Sequence, residues 1–341
     1  MRKIKVLIVD DSLFFRETLA RKISQDSAIE VVGTAFDPYS ARDKIIELQP
    51  DVMTLDVEMP RMNGIEFLRR LIPQYPIPVV VVSSVSESVF DALKAGAVDF
   101  VTKPDMSNPK GVEAIINELI VKIKIASTAK VGRGKNESIL ANSKIDTSDR
   151  GLSRVIAIGA STGGTEAIFN ILKNFSKDIP GIVIVQHMPP VFTRMYAERL
   201  NNSCLIEVKE ASNGDMVYPG RALIAPGEYH MKLKKRDGKY FVECAKGQKV
   251  SGHCPSVDVL FDSVAETAGA NAIGIILTGM GSDGAKGLLA MRKKGARTFG
   301  QDEKSSVVYG MPKVAFEIGA VEKQASLDAI PQLVYSLLKN N

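Results

Sequence analysis

Cysteine, tryptophan and histidine are scarce in this sequence. Its 341 residues include three cysteines, three histidines and no tryptophan. The cysteines (Cys204, Cys244 and Cys254) are odd in number and show no C-x-x-C spacing, so neither a disulfide framework nor a cysteine-ligated zinc site is expected. This sparing use of cysteine predicts a reducing, cytoplasmic location.

Long apolar runs and blocks of like charge are also missing. No stretch approaches the ~18 consecutive apolar residues that a membrane span needs, so we expect no membrane insertion. The first apolar run, residues 6–9, ends at Asp10 and Asp11, which indicates a core strand and not a secretory signal. The net charge of +5 is spread along the chain without interleaved aromatic residues, a distribution that argues against nucleic-acid binding.

The N-terminal third alternates between short apolar runs and amphipathic helical windows. The runs are β-branched and almost continuous, as in strands that are buried on both faces of a parallel sheet. β–α units in this succession predict a doubly wound, flavodoxin-like α/β sheet. The five runs are residues 5–9, 31–35, 52–55, 79–82 and 98–102, and residues 111–125 follow them as the fifth helical window.

The composition changes after this window. Residues 127–150 are rich in Ser, Lys, Asn, Asp and Gly, with only scattered apolar residues, which is typical of an exposed linker. The sequence therefore predicts a first domain over residues 1–126, a linker over 127–150 and a second domain over 151–341.

The second domain resumes the α/β pattern. Strands are expected near residues 154–158, 182–186 and 272–277. Residues 222–244 instead look like a β-hairpin, with Arg236-Asp237-Gly238 as its turn. This pattern predicts a mostly parallel sheet with an antiparallel excursion.

Polar residues stand at the ends of the predicted strands in the first domain. Ligands of an open α/β sheet gather outside the carboxyl ends of its strands. Carboxylates that converge there repel one another unless a cation lies among them, and Mg²⁺ prefers oxygen ligands. A single such residue is more often a solvated strand end, but five at matching positions favour a phosphoryl site: Asp10, Asp11, Asp56, Ser83 and Lys103.

Over about residues 1–125 the chain resembles the receiver domains of two-component response regulators. The resemblance implies that Asp56 is the phosphoacceptor. It also implies that Asp10 and Asp11 hold Mg²⁺ together with Asp56 and the backbone carbonyl of Glu58, and that a histidine kinase is the phosphodonor. The motifs that carry it are "LIVDDSLFFR", "DVMTLDVEMPRMNG", the serine of "VVVVSSVSE" and "VDFVTKP".

The same resemblance assigns three further residues. Ser83 and Lys103 would contact the phosphoryl oxygens, and Phe100 would be the aromatic residue that changes rotamer. The peptide bond between Lys103 and Pro104 would be cis.

The stretch "VIAIGASTGGTEAI", residues 155–168, reads as strand, turn and helix. Ser161 fits the G-x-S-x-G pattern of a nucleophile elbow, but such a turn can also wrap a phosphate in backbone N–H groups. A dinucleotide-binding fold is disfavoured because the spacing is not G-x-G-x-x-G. In addition, the next strand ends in Gln186-His187 instead of an acidic ribose ligand.

A working serine needs a base, and His187 is the best placed of the three histidines. It follows the strand next to that of Ser161, and adjacent strand ends lie ~5 Å apart. Asp283 in "AIGIILTGMGSDG" supplies a carboxylate at a third strand end. The alternatives are that His187 only forms structural hydrogen bonds and that Asp283 caps the helix after it. His230 in the hairpin and His253 in the loop of residues 251–255 are expected to affect binding or stability more than the chemical step.

From about residue 153 to 338 the chain resembles the protein-glutamate methylesterases of bacterial chemotaxis. The resemblance implies a Ser161 nucleophile, His187 as general base and then acid, and Asp283 orienting His187, with no cofactor in this site. It implies hydrolysis of glutamate methyl esters on methyl-accepting chemoreceptors, regulated by phosphorylation, together with deamidation of receptor glutamines. The motifs that carry it are "IAIGASTGGTEAI", "VIVQHMPPVFTRMYAERLN", "IAPGEYHM", "PSVDVLF", "ILTGMGSDGAKGL" and "SSVVYGMP".

One position departs from the family pattern. Cys254 stands where the family usually has a basic residue before "PSVD". A rival interpretation, a response regulator whose second domain only binds DNA or a partner protein, leaves the serine elbow unexplained, and nothing after residue 150 resembles a helix-turn-helix.

Overall fold

The computed structural model describes residues 2–59, 62–84, 87–103, 109–131 and 154–339. The chain divides into two compact units, Met1–Lys135 and Asn136–Asn341. Pro104, with its expected cis bond, and most of the predicted linker lie outside the described residues. Within these ranges, no helix combines the length and the apolar character that crossing a membrane requires.

The N-terminal unit is a parallel α/β sheet. Its strands are β1 (Ile4–Val9), β2 (Ile29–Ala35), β3 (Val52–Asp56), β4 (Val79–Ser83) and β5 (Asp99–Thr102). They pair in the order β2-β1-β3-β4-β5, and every pairing is parallel. The helices after these strands are α1 (Leu13–Ile23), α2 (Pro38–Leu48), α3 (Gly64–Leu71), α4 (Ser88–Lys94) and α5 (Pro109–Ala126). The predicted doubly wound sheet is confirmed.

The C-terminal unit is built on a second, larger parallel sheet. Its strands are β6 (Val155–Ala160), β7 (Gly181–Gln186), β8 (Glu207–Glu210), β10 (Arg221–Ile224), β13 (Ala272–Ile276), β14 (Arg297–Gln301) and β15 (Lys323–Ala325), in the order β15-β14-β13-β6-β7-β10-β8. All neighbours pair in parallel. The helices of this unit are α6 (Gly164–Leu172), α7 (Phe192–Ser203), α8 (Val257–Thr267), α9 (Ala285–Lys293), α10 (Met311–Glu317) and α11 (Ile330–Lys339).

The predicted hairpin is correct at its turn and wrong at its start. An antiparallel sheet contains β9 (Met216–Val217), β11 (Tyr229–Arg236) and β12 (Lys239–Lys246). Asp237 and Gly238 join β11 to β12 with φ of 51° and 77°, the backbone of a tight hairpin turn with positive φ at both central residues. Ala222–Ile224, however, pairs in parallel with Ile182–Ile184. A short apolar run has the same pattern in either kind of strand, so only the pairing distinguishes them.

Strands β13, β6 and β7 form the centre of the large sheet, and α8 packs closely against them. A Cβ atom at Gly159 would lie 2.2 Å from Cγ1 of Val257. Glycine in β6 therefore lets the first turn of α8 approach the sheet. The carboxyl ends of these strands and the start of α8 consequently lie together.

Candidate functional site

Ser161 and His187 follow adjacent parallel strands. In the register of β6 and β7, Ala160 pairs with Gln186, so Ser161 and His187 are the residues directly after each of the two strands. The His187 N–H donates to the Ala160 carbonyl (3.2 Å), and the Ser161 N–H donates to the carbonyl of Thr278 after β13 (3.0 Å). Three consecutive strands of the sheet therefore position this site.

The side chain of Gln186 hydrogen-bonds to the backbone of both Ser161 and His187, a role that the sequence did not suggest. Its buried side chain donates from Nε2 to the carbonyls of Ser161 (2.9 Å) and His187 (3.2 Å). A Cβ atom at Gly164 would lie 2.1 Å from Gln186 Oε1, so glycine at the start of α6 makes room for this amide. The signal in the sequence is a glutamine that ends an apolar strand.

Asp283 lies in the loop between β13 and α9, but it does not cap α9. Gly284 is the N-cap of that helix, without a side-chain hydrogen bond. The carboxylate instead accepts hydrogen bonds at the start of α8. Its donors are Ser256 Oγ (2.8 Å), Val257 N (2.8 Å), Asp258 N (3.0 Å) and His187 Nε2 (2.8 Å).

These hydrogen bonds stabilise Asp283 in its charged form. Burial by itself raises the pKa of this carboxyl group. The hydrogen bonds from His187 and from the amides of Asp258 and Val257 outweigh that effect and lower its pKa from 3.8 to about 2. Asp283 is therefore a carboxylate at neutral pH, and it accepts a hydrogen bond from the His187 Nε2–H group.

This contact determines the state of the other ring nitrogen. Because a carboxylate only accepts, Nε2 of His187 carries the hydrogen, and Nδ1 of the neutral ring is an acceptor. Nδ1 is buried and has no hydrogen-bond partner among the residues that the structure describes. An unbonded ring nitrogen thus lies at the end of the strand next to that of Ser161, and no hydrogen bond joins it to the Ser161 hydroxyl.

His253 lies against His187, whereas the sequence placed it in a loop and predicted an effect on binding or stability more than on the chemical step. The two imidazole rings stack with centroids 3.6 Å apart and planes inclined by 9°. Burial, and then the neighbouring His187, lower the pKa of His253 to about 4, against the opposing effect of Asp283. A neutral ring therefore covers one face of His187 at neutral pH.

In the N-terminal unit, the predicted acidic residues come together at the carboxyl edge of the sheet. Carboxylate oxygens of Asp10, Asp11 and Asp56 lie within 4.8 Å of one another. Lys103 Nζ is 2.5 Å from Asp56 Oδ2 and 3.0 Å from Asp10 Oδ2. Burial raises the pKa of Asp56, and Lys103 opposes that rise. Three clustered carboxylates with a single lysine are a donor set that fits Mg²⁺.

The remaining predicted residues of this unit are Glu58, Ser83 and Phe100. The Glu58 N–H donates to Asp56 Oδ1 at 3.0 Å, so the backbone of Glu58 adjoins the cluster. The Ser83 hydroxyl at the end of β4 is buried and bonds to nothing within the described ranges. Phe100 is buried in β5, with Lys122 Nζ 4.9 Å from its ring centroid. The Ser83 hydroxyl is thus available for a ligand oxygen.

Comparisons with known proteins find a matching family for each of the two units. A family model described as CheB methylesterase matches residues 156–334, and a response regulator receiver domain model matches residues 6–115. The chain is 67% identical over 338 residues to a Syntrophomonas wolfei protein named "Protein-glutamate methylesterase/protein-glutamine glutaminase 2", with 99% of this chain and 98% of that protein covered.

Two further relatives are similar. A Syntrophotalea carbinolica protein named "Protein-glutamate methylesterase/protein-glutamine glutaminase" is 54% identical over 346 residues, with 99% of this chain and 98% of that protein covered. Among solved structures, the Thermotoga maritima CheB methylesterase catalytic domain is 39% identical with a TM-score of 0.53, and the match covers 54% of this chain and 98% of that domain.

Proposed function

The chain belongs to the protein-glutamate methylesterase/protein-glutamine glutaminase family, and from this premise we propose that Ser161, His187 and Asp283 carry out the hydrolysis. The substrates are γ-methyl esters of glutamate, and specific glutamines, on chemoreceptors. The observation that carries the proposal is the 2.8 Å contact between His187 Nε2 and Asp283 Oδ2. It leaves a basic Nδ1 at the strand end next to that of Ser161.

The first half of the reaction forms an acyl-enzyme. Ser161 Oγ attacks the ester carbonyl carbon while His187 Nδ1 accepts the hydroxyl proton. The tetrahedral intermediate then expels methoxide, to which His187 returns the proton, and methanol leaves. In the second half, His187 removes a proton from water, the resulting hydroxide attacks the acyl carbon, and Ser161 leaves with the proton as glutamate is released. With a glutamine side chain the first leaving group is ammonia.

Asp283 acts through His187. Its hydrogen bond keeps the proton on Nε2 and stabilises the positive charge that His187 gains when Nδ1 is protonated. The amides of α8 and the Ser256 hydroxyl hold the carboxylate in place. Because these donors belong to a rigid helix start, little reorganisation accompanies the proton transfer.

The oxyanion needs N–H donors other than that of Ser161, which already bonds to Thr278. Gly163 has a φ of 77° at the start of α6, and its N–H has no acceptor among the described residues. The same holds for the N–H of Met280, in the loop that leads to Asp283. We assign the oxyanion to these two groups.

The N-terminal unit regulates the reaction through Asp56, which accepts a phosphoryl group from a histidine kinase. Asp10, Asp11, Asp56 and the Glu58 carbonyl would hold Mg²⁺, which would supply positive charge beside the phosphoryl oxygens. The ammonium group of Lys103 and the hydroxyl of Ser83 bind those oxygens. The buried, unbonded Ser83 hydroxyl and the short contacts of Lys103 support this assignment.

The decisive experiment measures methanol release from methylated receptor membranes by full-length Ser161→Ala. We expect a loss of at least about 1000-fold in turnover, because removing the nucleophile of such a triad leaves only residual catalysis. Ser176→Ala, which changes a serine in the loop before β7, at the opposite end of that strand from His187, serves as the matched control and should retain activity. Residual turnover above about a tenth of the wild-type value would reject the assignment, since that loss is under ~1.4 kcal/mol.

A fluorophosphonate probe separates an esterase from a module that only binds. Wild-type protein should gain one adduct on Ser161, and Ser161→Ala should gain none. Absence of the adduct in folded wild-type protein contradicts an activated serine.

A further inference from the structure

The imidazole ring of His253 stacks on that of His187. The two rings lie 3.6 Å apart and nearly parallel. Neither ring nitrogen of His253 hydrogen-bonds to any residue in the described part of the chain, so the flat face of its ring is its contact with the site. This geometry differs from that of a proton relay, in which nitrogens meet edge to edge.

A tight turn places His253 in this position. Val250 and His253 exchange two backbone hydrogen bonds (3.0 and 2.9 Å) across Ser251 and Gly252. These two central residues have φ values of 52° and 85°, the signature of a turn with positive φ at both positions, which favours glycine. The Ser251 hydroxyl also donates to Asp258 Oδ2 at 3.2 Å. The turn is therefore attached to the first turn of α8.

The same helix start thus supports two neighbours of His187. The amides of Val257 and Asp258 bind the Asp283 carboxylate, and the turn attached to Asp258 presents the ring of His253. Asp283 hydrogen-bonds to Nε2 of His187, and the ring of His253 covers one face of its imidazole. Together they restrain two different motions of the same imidazole.

We propose that His253 is a positioning residue, whose ring holds the imidazole of His187 in the plane in which Nε2 meets Asp283 and Nδ1 stays free for the proton of Ser161. This inference rests on the proposed function of His187. A hydrogen bond at one nitrogen still allows the ring to turn about the bond that joins it to Cβ. A parallel ring against its face blocks that rotation, because turning would drive the ring edge into the neighbour.

The electrostatics of the stack suit a base that becomes charged. When His187 accepts the serine proton, the π-face of a neutral ring attracts the new cation, whereas a protonated ring would repel it. The charged and titratable groups that act on His253 are His187, Asp283 and Lys249, and burial has the largest effect on its pKa, which falls to about 4. His253 therefore carries no charge at neutral pH.

The test compares His253→Ala with His253→Phe in the full-length protein. Phenylalanine keeps a flat ring but has no ring nitrogen. We expect His253→Ala to lower kcat for methanol release by about 10- to 100-fold with little change in KM, since a small misplacement of a catalytic group has an effect of this size. His253→Phe should recover kcat to within about threefold of wild type.

A spectroscopic measurement follows the geometry directly. The proton between His187 Nε2 and Asp283 should give a strongly deshielded ¹H resonance in wild type and in His253→Phe. In His253→Ala this resonance should broaden or disappear. Amide exchange at Val257 and Asp258 shows whether the start of α8 remains folded in each variant.

Three kinetic results would overturn the proposal. His253→Ala within twofold of the wild-type kcat would show that the stack positions nothing. A folded His253→Phe that is as inactive as His253→Ala would assign the role to a ring nitrogen instead. If His253→Ala does not fold, Gly252→Val perturbs the same turn through its positive φ, and it should lower kcat with KM retained; a wild-type kcat in a folded Gly252→Val refutes the proposal. Fluorophosphonate labelling of wild-type Ser161 keeps these outcomes separate from failure of the triad itself.

Discussion

Replacing Asp283 by asparagine tests whether one carboxylate supports both the site and the fold. The side chain is 1% exposed and accepts four hydrogen bonds. Lowering its pKa from 3.8 to about 2 corresponds to about 2.5 kcal/mol in favour of the charged folded form. The NH₂ group of asparagine also faces neighbouring hydrogen-bond donors and leaves one of them unpaired, which costs a further ~1–3 kcal/mol of stability. We therefore expect Asp283→Asn to lower the free energy of unfolding of the C-terminal unit by about 3.5–5.5 kcal/mol at pH 7.

The pH dependence of this contribution has a definite sign. Because the pKa of Asp283 is depressed in the folded protein, the stabilisation is complete above the unfolded value of 3.8 and is lost as the pH falls toward about 2. Asp283→Asn should remove this part of the acid sensitivity. Urea unfolding at pH 7 and at pH 3 measures the difference between the two proteins.

Asp258→Asn is the matched control, since Asp258 is a buried carboxylate of the same helix start. It accepts hydrogen bonds from the Gly287 N–H (2.8 Å) and from Ser251 (3.2 Å). Burial raises its pKa, so the folded state disfavours its charge, and neutralising it should change stability by less than about 1 kcal/mol. Amide exchange at Val257 should accelerate in Asp283→Asn and not in Asp258→Asn. Equal stabilities of Asp283→Asn and wild type, or an equal loss in both variants, would refute the reasoning.

Two further predictions concern the neighbours of the reacting groups. Gly164→Ala places a Cβ atom 2.1 Å from Gln186 Oε1, so Gln186 must move away from Ser161 and His187, and kcat should fall at least about tenfold; steady-state kinetics with unchanged turnover would contradict a supporting role for Gln186. In full-length protein with Mg²⁺, a small phosphodonor should raise methanol release about tenfold, and Asp56→Asn, which lacks the phosphoacceptor, should show no response; activation that persists in Asp56→Asn would place the regulatory phosphate elsewhere.

Much of both sites follows from the sequence because parallel strands obey simple rules. Short β-branched runs identify the strands, and the residues after their carboxyl ends meet at one edge of the sheet. This reasoning brings Asp10, Asp56 and Lys103 together in one unit and Ser161 and His187 in the other. Each of these predictions needs only the local pattern and the order of neighbouring strands.

The remaining features depend on segments that are distant in sequence and meet only in the folded chain. Asp283 follows β13, yet backbone donors of α8 bind its carboxylate. From its place in the sequence, just before α9, Asp283 could equally have been the N-cap of that helix, which is instead Gly284. His253 reaches His187 through a turn between β12 and α8. The side chain of Gln186 donates to the carbonyl of Ser161, which follows the neighbouring strand. The strand Ala222–Ile224 was assigned to the hairpin because its apolar pattern is the same in both kinds of pairing. Sequence periodicity therefore determines which face of an element is buried, whereas the partner across that face is decided by tertiary packing, because many different neighbours satisfy the same pattern.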